Sequence, residues 1–410
     1  MSTVHYFILS LLAFVVTACG SPECKMEVTH IRENFWGGLT KYDVSTQKEL
    51  EVFRGQTHID GHLRICASDD IEDLSALSEL ESVDGNLVIY DNSHLSSLEG
   101  LGSLQSVSRG IYVVENPELT LIDSFDALNT TSDFGNTGAG INIGRNPNLK
   151  QVSGFRELSN AQLSIGENDN LQSIDIGPNG IGVALIVGAN PALKSIRWVA
   201  DETNNSEAME IGAIRIEEER LERIELDPRF QTINELTLAI PAANFTNLEF
   251  LDGLVSLGAG LIVPLSKDQS DASSMSLAGL DSLEFIEDAL WFMGSFTGFE
   301  HMSSWKSGLI GFRECPQTDA SFLESLIPII NSGDGPYRIW FRECSNLADI
   351  SALLAISPEA NVEVSAYHNP RLPQCQVDAI WSHLYGEDSE YLAADYGNGT
   401  ALDDPYGDCD

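Results

Sequence analysis

Positive charge is scarce in this chain: Lys and Arg together number 22 against 62 Asp and Glu, for a formal net charge of -40 at pH 7 over 410 residues. A field of that sign repels phosphate backbones and anionic headgroups, so nucleic acid is excluded as a partner on electrostatic grounds. The apolar stretch at 6–18 is too short to remain as a membrane-spanning helix. Catalytic signatures are missing as well. The chain has no Gly-x-Ser-x-Gly elbow, no His-Glu-x-x-His helix, no phosphate-cradling P-loop, no convincing dinucleotide fingerprint, no Cys-x-x-Cys and no Asp-x-Asp-x-Asp-Gly loop. The sequence therefore predicts no enzyme, no catalytic residue and no cofactor. Acidic clusters such as Asp69-Asp70 and Glu217-Glu218-Glu219 read as a solvated surface. The enzymatic alternative is a polysaccharide-acting enzyme working through such carboxylates on a solenoid.

What the chain does have is a repeat. Leu63, Ile65, Ile71, Leu74, Leu77, Leu80 and Val83 recur 24 residues later as Leu87, Ile89, Leu95, Leu98, Leu101, Leu104 and Val107. The same shift carries most of the set onto Ile111, Val113, Leu119, Ile122, Phe125 and Leu128. One apolar template at a period of roughly 20–50 residues means a stacked solenoid, each coil burying its edge on the next. Every coil opens with a short alternating strand whose apolar members point inward. Spacing of three among Leu98, Leu101 and Leu104 predicts a short helical or irregular turn.

Asn92, Asn116, Asn146, Asn168 and Asn190 each stand three residues before an apolar residue, as Asn369 does near the far end. An amide at such a corner can bond its own turn and the neighbouring coil, satisfying backbone groups that stacking buries. Later shifts of 30, 22 and 22 lead to Ile141, Leu163 and Leu185, so 129–138 should bulge outward as an inserted loop. Between 200 and 309 the Asn corner is missing, and strand starts are expected at Ile214, Leu236, Leu261 and Leu290, with surface loops at 201–208 and 266–275. Clearer coils resume at Ile310, Ile339 and Val362. Val377, Ile380, Trp381 and Leu384 share one helical face, predicting a helix that covers the last coil. The boundaries that follow are 1–18 as signal peptide, 19–24 as tether, 25–59 as N-terminal cap, 60–373 as solenoid and 374–410 as C-terminal cap. The solenoid allows two halves, 60–200 and 201–373.

Seven cysteines are present, and six remain if Cys19 is modified, an even number suited to an oxidising compartment. Cys315 and Cys344 each close a Phe-Arg-Glu-Cys segment and occupy the corner position held elsewhere by Asn. Neighbouring strands lie about 4.8 Å apart, within disulfide reach, so these two are expected to pair. Cys24 with Cys66 and Cys375 with Cys409 follow partly by elimination. His58, His62 and Cys66 have helical ligand spacing, but Gly61 and the alternating Leu63 and Ile65 predict a strand there, so no metal site is expected.

Val16-Thr17-Ala18-Cys19 after the apolar stretch resembles the lipobox of bacterial lipoproteins, which implies cleavage before a lipidated Cys19, and Gly20 in that setting implies passage to the outer membrane. The alternative is an ordinary secreted protein. Gly85 through Leu104 matches Gly-x-Leu-x-Ile-x-x-Asn-x-x-Leu-x-x-Leu-x-x-Leu-x-x-Leu, the pattern of the receptor L domain. That resemblance implies a right-handed, leucine-rich β-solenoid used for binding without catalysis. The predicted function is recognition or adhesion of a protein or glycan partner at the cell surface, with a passive envelope component as a further reading. Outward strand positions Arg64, Tyr90, Tyr112 and Trp340 are the predicted binding residues, on the expectation that their row is open to solvent.

Overall fold

In the computed structural model of the chain, residues 41–131, 140–177, 182–199, 209–265 and 274–386 are described, with the backbone of Val16–Thr17 and Glu27–Val28, which pair antiparallel. The chain divides into two compact units, Met1–Asn205 and Ser206–Asp410. Parallel strands dominate both, giving a β-solenoid-like fold. In the first unit the main sheet runs β1 (Lys41–Val44), β2 (His62–Cys66), β3 (Leu87–Tyr90), β4 (Ile111–Val114), β5 (Ile141–Gly144), β6 (Gln162–Gly166) and β7 (Ala184–Gly188). Leu63, Leu87, Ile111, Ile141, Leu163 and Leu185 face one another pair by pair in that order. These are the positions the repeat predicts, and all are fully buried. A slip of one residue would turn every one of them to the opposite side of the sheet, so the alternation itself fixes the register.

Shorter strands line the other sides of each coil. Ser82–Val83 lies between His58–Ile59 and Ser106–Val107, which in turn pairs with Thr130–Thr131. Later coils use Leu121–Ile122, Gln151–Gly154, Ser173–Ile176 and Ser195–Trp198 instead. The predicted turns are 3-10 helical, at Ser75–Leu77 and Glu99–Leu101, and Leu98, Leu101 and Leu104 around the second are fully buried. Each such leucine contributes about 1.5–3 kcal/mol by leaving water.

The Asn corner is a continuous ladder. Asn92 donates its backbone N–H to Asn116 Oδ1 (3.2 Å), Asn116 to Asn146 (3.0 Å), Asn146 to Asn168 (3.0 Å) and Asn168 to Asn190 (3.2 Å). Their Nδ2 groups donate back to the preceding coils, at Ile65, Ile89, Val113, Ile143 and Ile165 carbonyls in turn. All five amides are fully buried. The residue before each rung, Asp91, Glu115, Arg145, Glu167 and Ala189, has φ between 54° and 60°. That left-handed conformation costs a residue with a side chain about 1–2 kcal/mol, and the ladder holds it in place.

The second unit repeats the scheme with longer strands: β8 (Met209–Glu217), β9 (Phe230–Pro241), β10 (Ser256–Leu265), β11 (Phe285–Met293), β12 (Ser307–Arg313), β13 (Tyr337–Arg342) and β14 (Val362–Tyr367). Ile214, Leu236, Gly260, Leu290, Ile310, Ile339 and Val364 form its inward row. The sequence expectation at Leu261 is corrected here: Leu238 pairs with Ile262, so Gly260 takes the inward place and Leu261 faces out. Helix α1 (Gln374–Tyr385) buries the predicted Val377, Ile380, Trp381 and Leu384. It lies against β14, where Trp381 Nε1 donates to the Val364 carbonyl (2.8 Å) and Tyr385 hydroxyl accepts from Val364 N–H (2.9 Å). The loops expected at 201–208, most of 266–275 and most of 129–138, and the wrap at 387–410, lie outside the described residues.

Candidate functional site

The outward side of the first unit's sheet is not the open row the sequence led us to expect. Arg64 is 7% exposed, and Tyr90 and Tyr112 are each 6% exposed. Val88, Val114 and Cys66 complete one buried cluster with the two tyrosines. Tyr112 folds back over Gly110, where its ring occupies the space a Cβ would need. Arg64 pairs with Asp43 at 3.0 Å, while burial lowers the pKa of its guanidinium against that attraction. Burial, followed by the charge and hydrogen bond of Glu115, pushes the Tyr90 hydroxyl up to about 12. Burial alone holds Tyr112 well above the ordinary tyrosine range. These side chains fill space and do not present a surface.

A recess of about 620 Å³ in the same unit is lined by Arg145, Pro147, Glu167 and Asp169. Arg145, the one cation lining it among the described residues, is already held by Glu167 at 2.6 Å and Glu115 at 3.3 Å. The recess therefore offers little to an anion.

The fourth predicted residue, Trp340, sits in a different setting. Across the second unit the outward row reads Arg215, Thr237, Leu261, Trp291, Gly311, Trp340 and Ser365 in successive register. Trp291 and Trp340 are both half-buried, as is Tyr367 in the next outward row. Gly311 stands between the two tryptophans, and a Cβ there would lie 2.4 Å from the Trp291 ring. The glycine thus lets the rings meet, edge to face, with centroids 6.2 Å apart. Trp340 continues to Tyr367 at the same spacing of 6.2 Å. Edge-to-face packing suits aromatic quadrupoles and fixes three rings as one platform.

Arginines flank that platform. Arg313 and Arg342 are paired in register across β12 and β13, two residues beyond Gly311 and Trp340. Both reach Glu343, at 2.9 and 3.3 Å, so the carboxylate orients two guanidinium planes and cancels only part of their charge. At the far end of the face Arg215 is paired with Glu235. Burial raises Glu217, in the same outer region, to about 6 against the pull of Arg215.

Of the predicted binding residues the second unit's face includes Trp340 alone. Trp291, Tyr367, Arg313 and Arg342 went unread. A signal was there: Leu290-Trp-Phe and Ile339-Trp-Phe carry the same order, which places both tryptophans on the outer side. Cys315 and Cys344 form the expected disulfide with Cα atoms 4.7 Å apart. It occupies the corner, continuing into the bond from Cys344 N–H to Asn369 Oδ1 (2.9 Å). Cys66 and Cys375 are also disulfide-bonded. Cys19, Cys24 and Cys409 lie outside the described residues. His62 Nδ1 accepts from Asn86 N–H at 2.8 Å, and His58 contacts Ser82 and Asp84. Among the described residues there is no cluster able to hold a metal ion, and no helix long and apolar enough to cross a membrane.

Residues 27–132 and 55–155 match the family described as receptor L domain, which agrees with the coil pattern of the first unit. No curated relative matches the chain. The receptor L domain match and a disulfide of the kind that persists in oxidising compartments point together to an extracellular or surface protein.

Proposed function

We propose that this chain is a non-enzymatic, lipid-anchored recognition protein of a bacterial outer surface, held through Cys19. Its second unit grips a protein partner with Trp291, Trp340 and Tyr367, flanked by Arg313 and Arg342. The single observation that carries this reading is the partly exposed aromatic platform beside two arginines, in a chain with so few cations. Trp, Tyr and Arg dominate binding energy at protein interfaces, because large rigid rings and planar guanidinium groups gain much contact for little lost freedom. A right-handed winding, closed by 25–59 at one end and 374–410 at the other, belongs to the same reading. The two ends of that reading rest on β1 continuing the sheet beside β2 and on Trp381 anchoring the helix to β14.

One experiment covers anchor and face. Cys19→Ser should move the protein from the membrane fraction to the aqueous one. The soluble form, immobilised, should then retain a saturable partner from envelope extracts. Trp291→Ala or Trp340→Ala should weaken that retention at least tenfold, about 1.4 kcal/mol or more, whereas Tyr112→Phe should not. Equal retention by all variants, or nothing saturable, would count against the face. A Cys19→Ser protein that stays with the membrane would count against the anchor.

A further inference from the structure

We infer that the second unit carries a separate binding site for an acidic sugar, in a cavity between β10 and β13. Its position follows from a break in the sheet. β11 and β12 pair at Phe285 with Ser307 and next at Ala289 with Leu309, so Ile286, Glu287 and Asp288 stand opposite Gly308 alone. The bulge is possible because Gly308 has φ +117° and no side chain: a Cβ there would lie 2.1 Å from the Ile286 carbonyl oxygen. Bulges re-aim side chains and recur beside functional sites. Here the extra residues lift Glu287 out of the ladder and leave a cavity of about 370 Å³. That volume falls within the roughly 300–1,000 Å³ typical of small-ligand sites.

The lining fits a sugar better than a peptide side chain. Arg338, Glu287, Ser256 and Ser307 bring a guanidinium, a carboxylate and two hydroxyls around Phe285 and Pro336. Phe285 is 41% exposed, a conspicuous state for a phenyl ring. Lys306 Nζ lies 5.5 Å from that ring's centroid and is itself bound to Glu284 at 2.6 Å. Among the described residues Arg338 has no ion-pair partner, although 62 acidic side chains surround 22 basic ones in this chain. An unpaired guanidinium in so acidic a molecule is the natural seat for a carboxylate, which it can grip through two parallel N–H bonds. Glu287 and the serines would then take ring hydroxyls, and Phe285 the C–H face. An apolar peptide side chain would leave these polar groups unmatched. The ligand class is accordingly a hexuronate unit.

The probe is tetragalacturonate, with maltotetraose as the neutral control, titrated calorimetrically against the full chain with its disulfides intact. We expect tetragalacturonate to bind, more weakly as salt rises, and maltotetraose to bind at least tenfold less well. Arg338→Gln should weaken tetragalacturonate at least tenfold, Phe285→Ala should also weaken it, and Arg338→Lys should keep part of the affinity. Matching unfolding midpoints would establish that these variants fold. Absence of binding, equal binding of the neutral control, or indifference to Arg338→Gln would overturn the proposal. So would a peptide ending in Glu that binds more tightly in an Arg338-dependent way, since the site would then belong to peptide carboxylates. Trp291→Ala, outside the cavity lining, should leave this titration unchanged, so its outcome is separable from that of the partner-binding face.

Discussion

Asn146→Ala should destabilise the first unit by about 3–5 kcal/mol, because one amide serves three coils at once. Its Nδ2 donates to the carbonyls of Val113 in the preceding coil and Gly144 in its own, both at 3.0 Å, and to Asn168 Oδ1 in the following coil at 3.3 Å, and its Oδ1 accepts from the Asn116 N–H. Truncation leaves those buried groups without partners, at about 1–3 kcal/mol each, less whatever relaxation recovers. It also frees Arg145, whose φ of 54° the neighbouring rung helps to hold. The contrast is Asn148, an exposed amide that donates to Pro117 at 2.8 Å and whose loss should cost under about 1 kcal/mol. Urea unfolding of the two variants checks the difference. A loss below about 1 kcal/mol for Asn146→Ala would mean the ladder decorates the stack without holding it.

Replacing the Cys315–Cys344 disulfide should have the next largest effect, and its size should depend on what replaces it. The bridge closes 29 residues. Releasing a loop of that length costs about 3–4 kcal/mol in chain entropy. The cysteines also stand in the corner, where the Cys315 N–H points at Cys344 Sγ (3.3 Å) as asparagine amides point at one another elsewhere. The pair Cys315→Ala with Cys344→Ala should therefore lose the bridge and the corner bonds. Cys315→Asn with Cys344→Asn should lose the bridge but regain an acceptor for that N–H, and so unfold at a higher urea concentration than the alanine pair. Equal midpoints would show that the corner contributes nothing beyond the covalent link.

Much of this architecture was legible because the first unit repeats its phase marks. Each coil from Leu63 to Val187 carries apolar residues at alternate strand positions and, from the second coil on, an Asn three before a Leu, so shifts of 24, 30 and 22 could be read without ambiguity and recur in the pairing. Where the Asn vanished, so did the phase. Leu261 beside Gly260 reads as an inward leucine until the neighbouring Leu238–Ile262 pair decides otherwise. Solvent exposure was the least legible property. Alternation tells which side of a sheet Tyr90 and Tyr112 occupy, but not that they pack into a buried cluster with Val88 and Val114. The cavity at Arg338 was illegible for a related reason: a bulge depends on how two strands meet, and no residue of β11 announces it alone.

Hydroxyl-radical footprinting of the free protein in solution tests most directly which unit offers the open face. Trp291, Trp340 and Phe285 should be modified more heavily than Tyr90 and Tyr112, in keeping with their burial. Heavy labelling of Tyr112 together with a protected Trp340 would contradict the assignment and return recognition to the first unit.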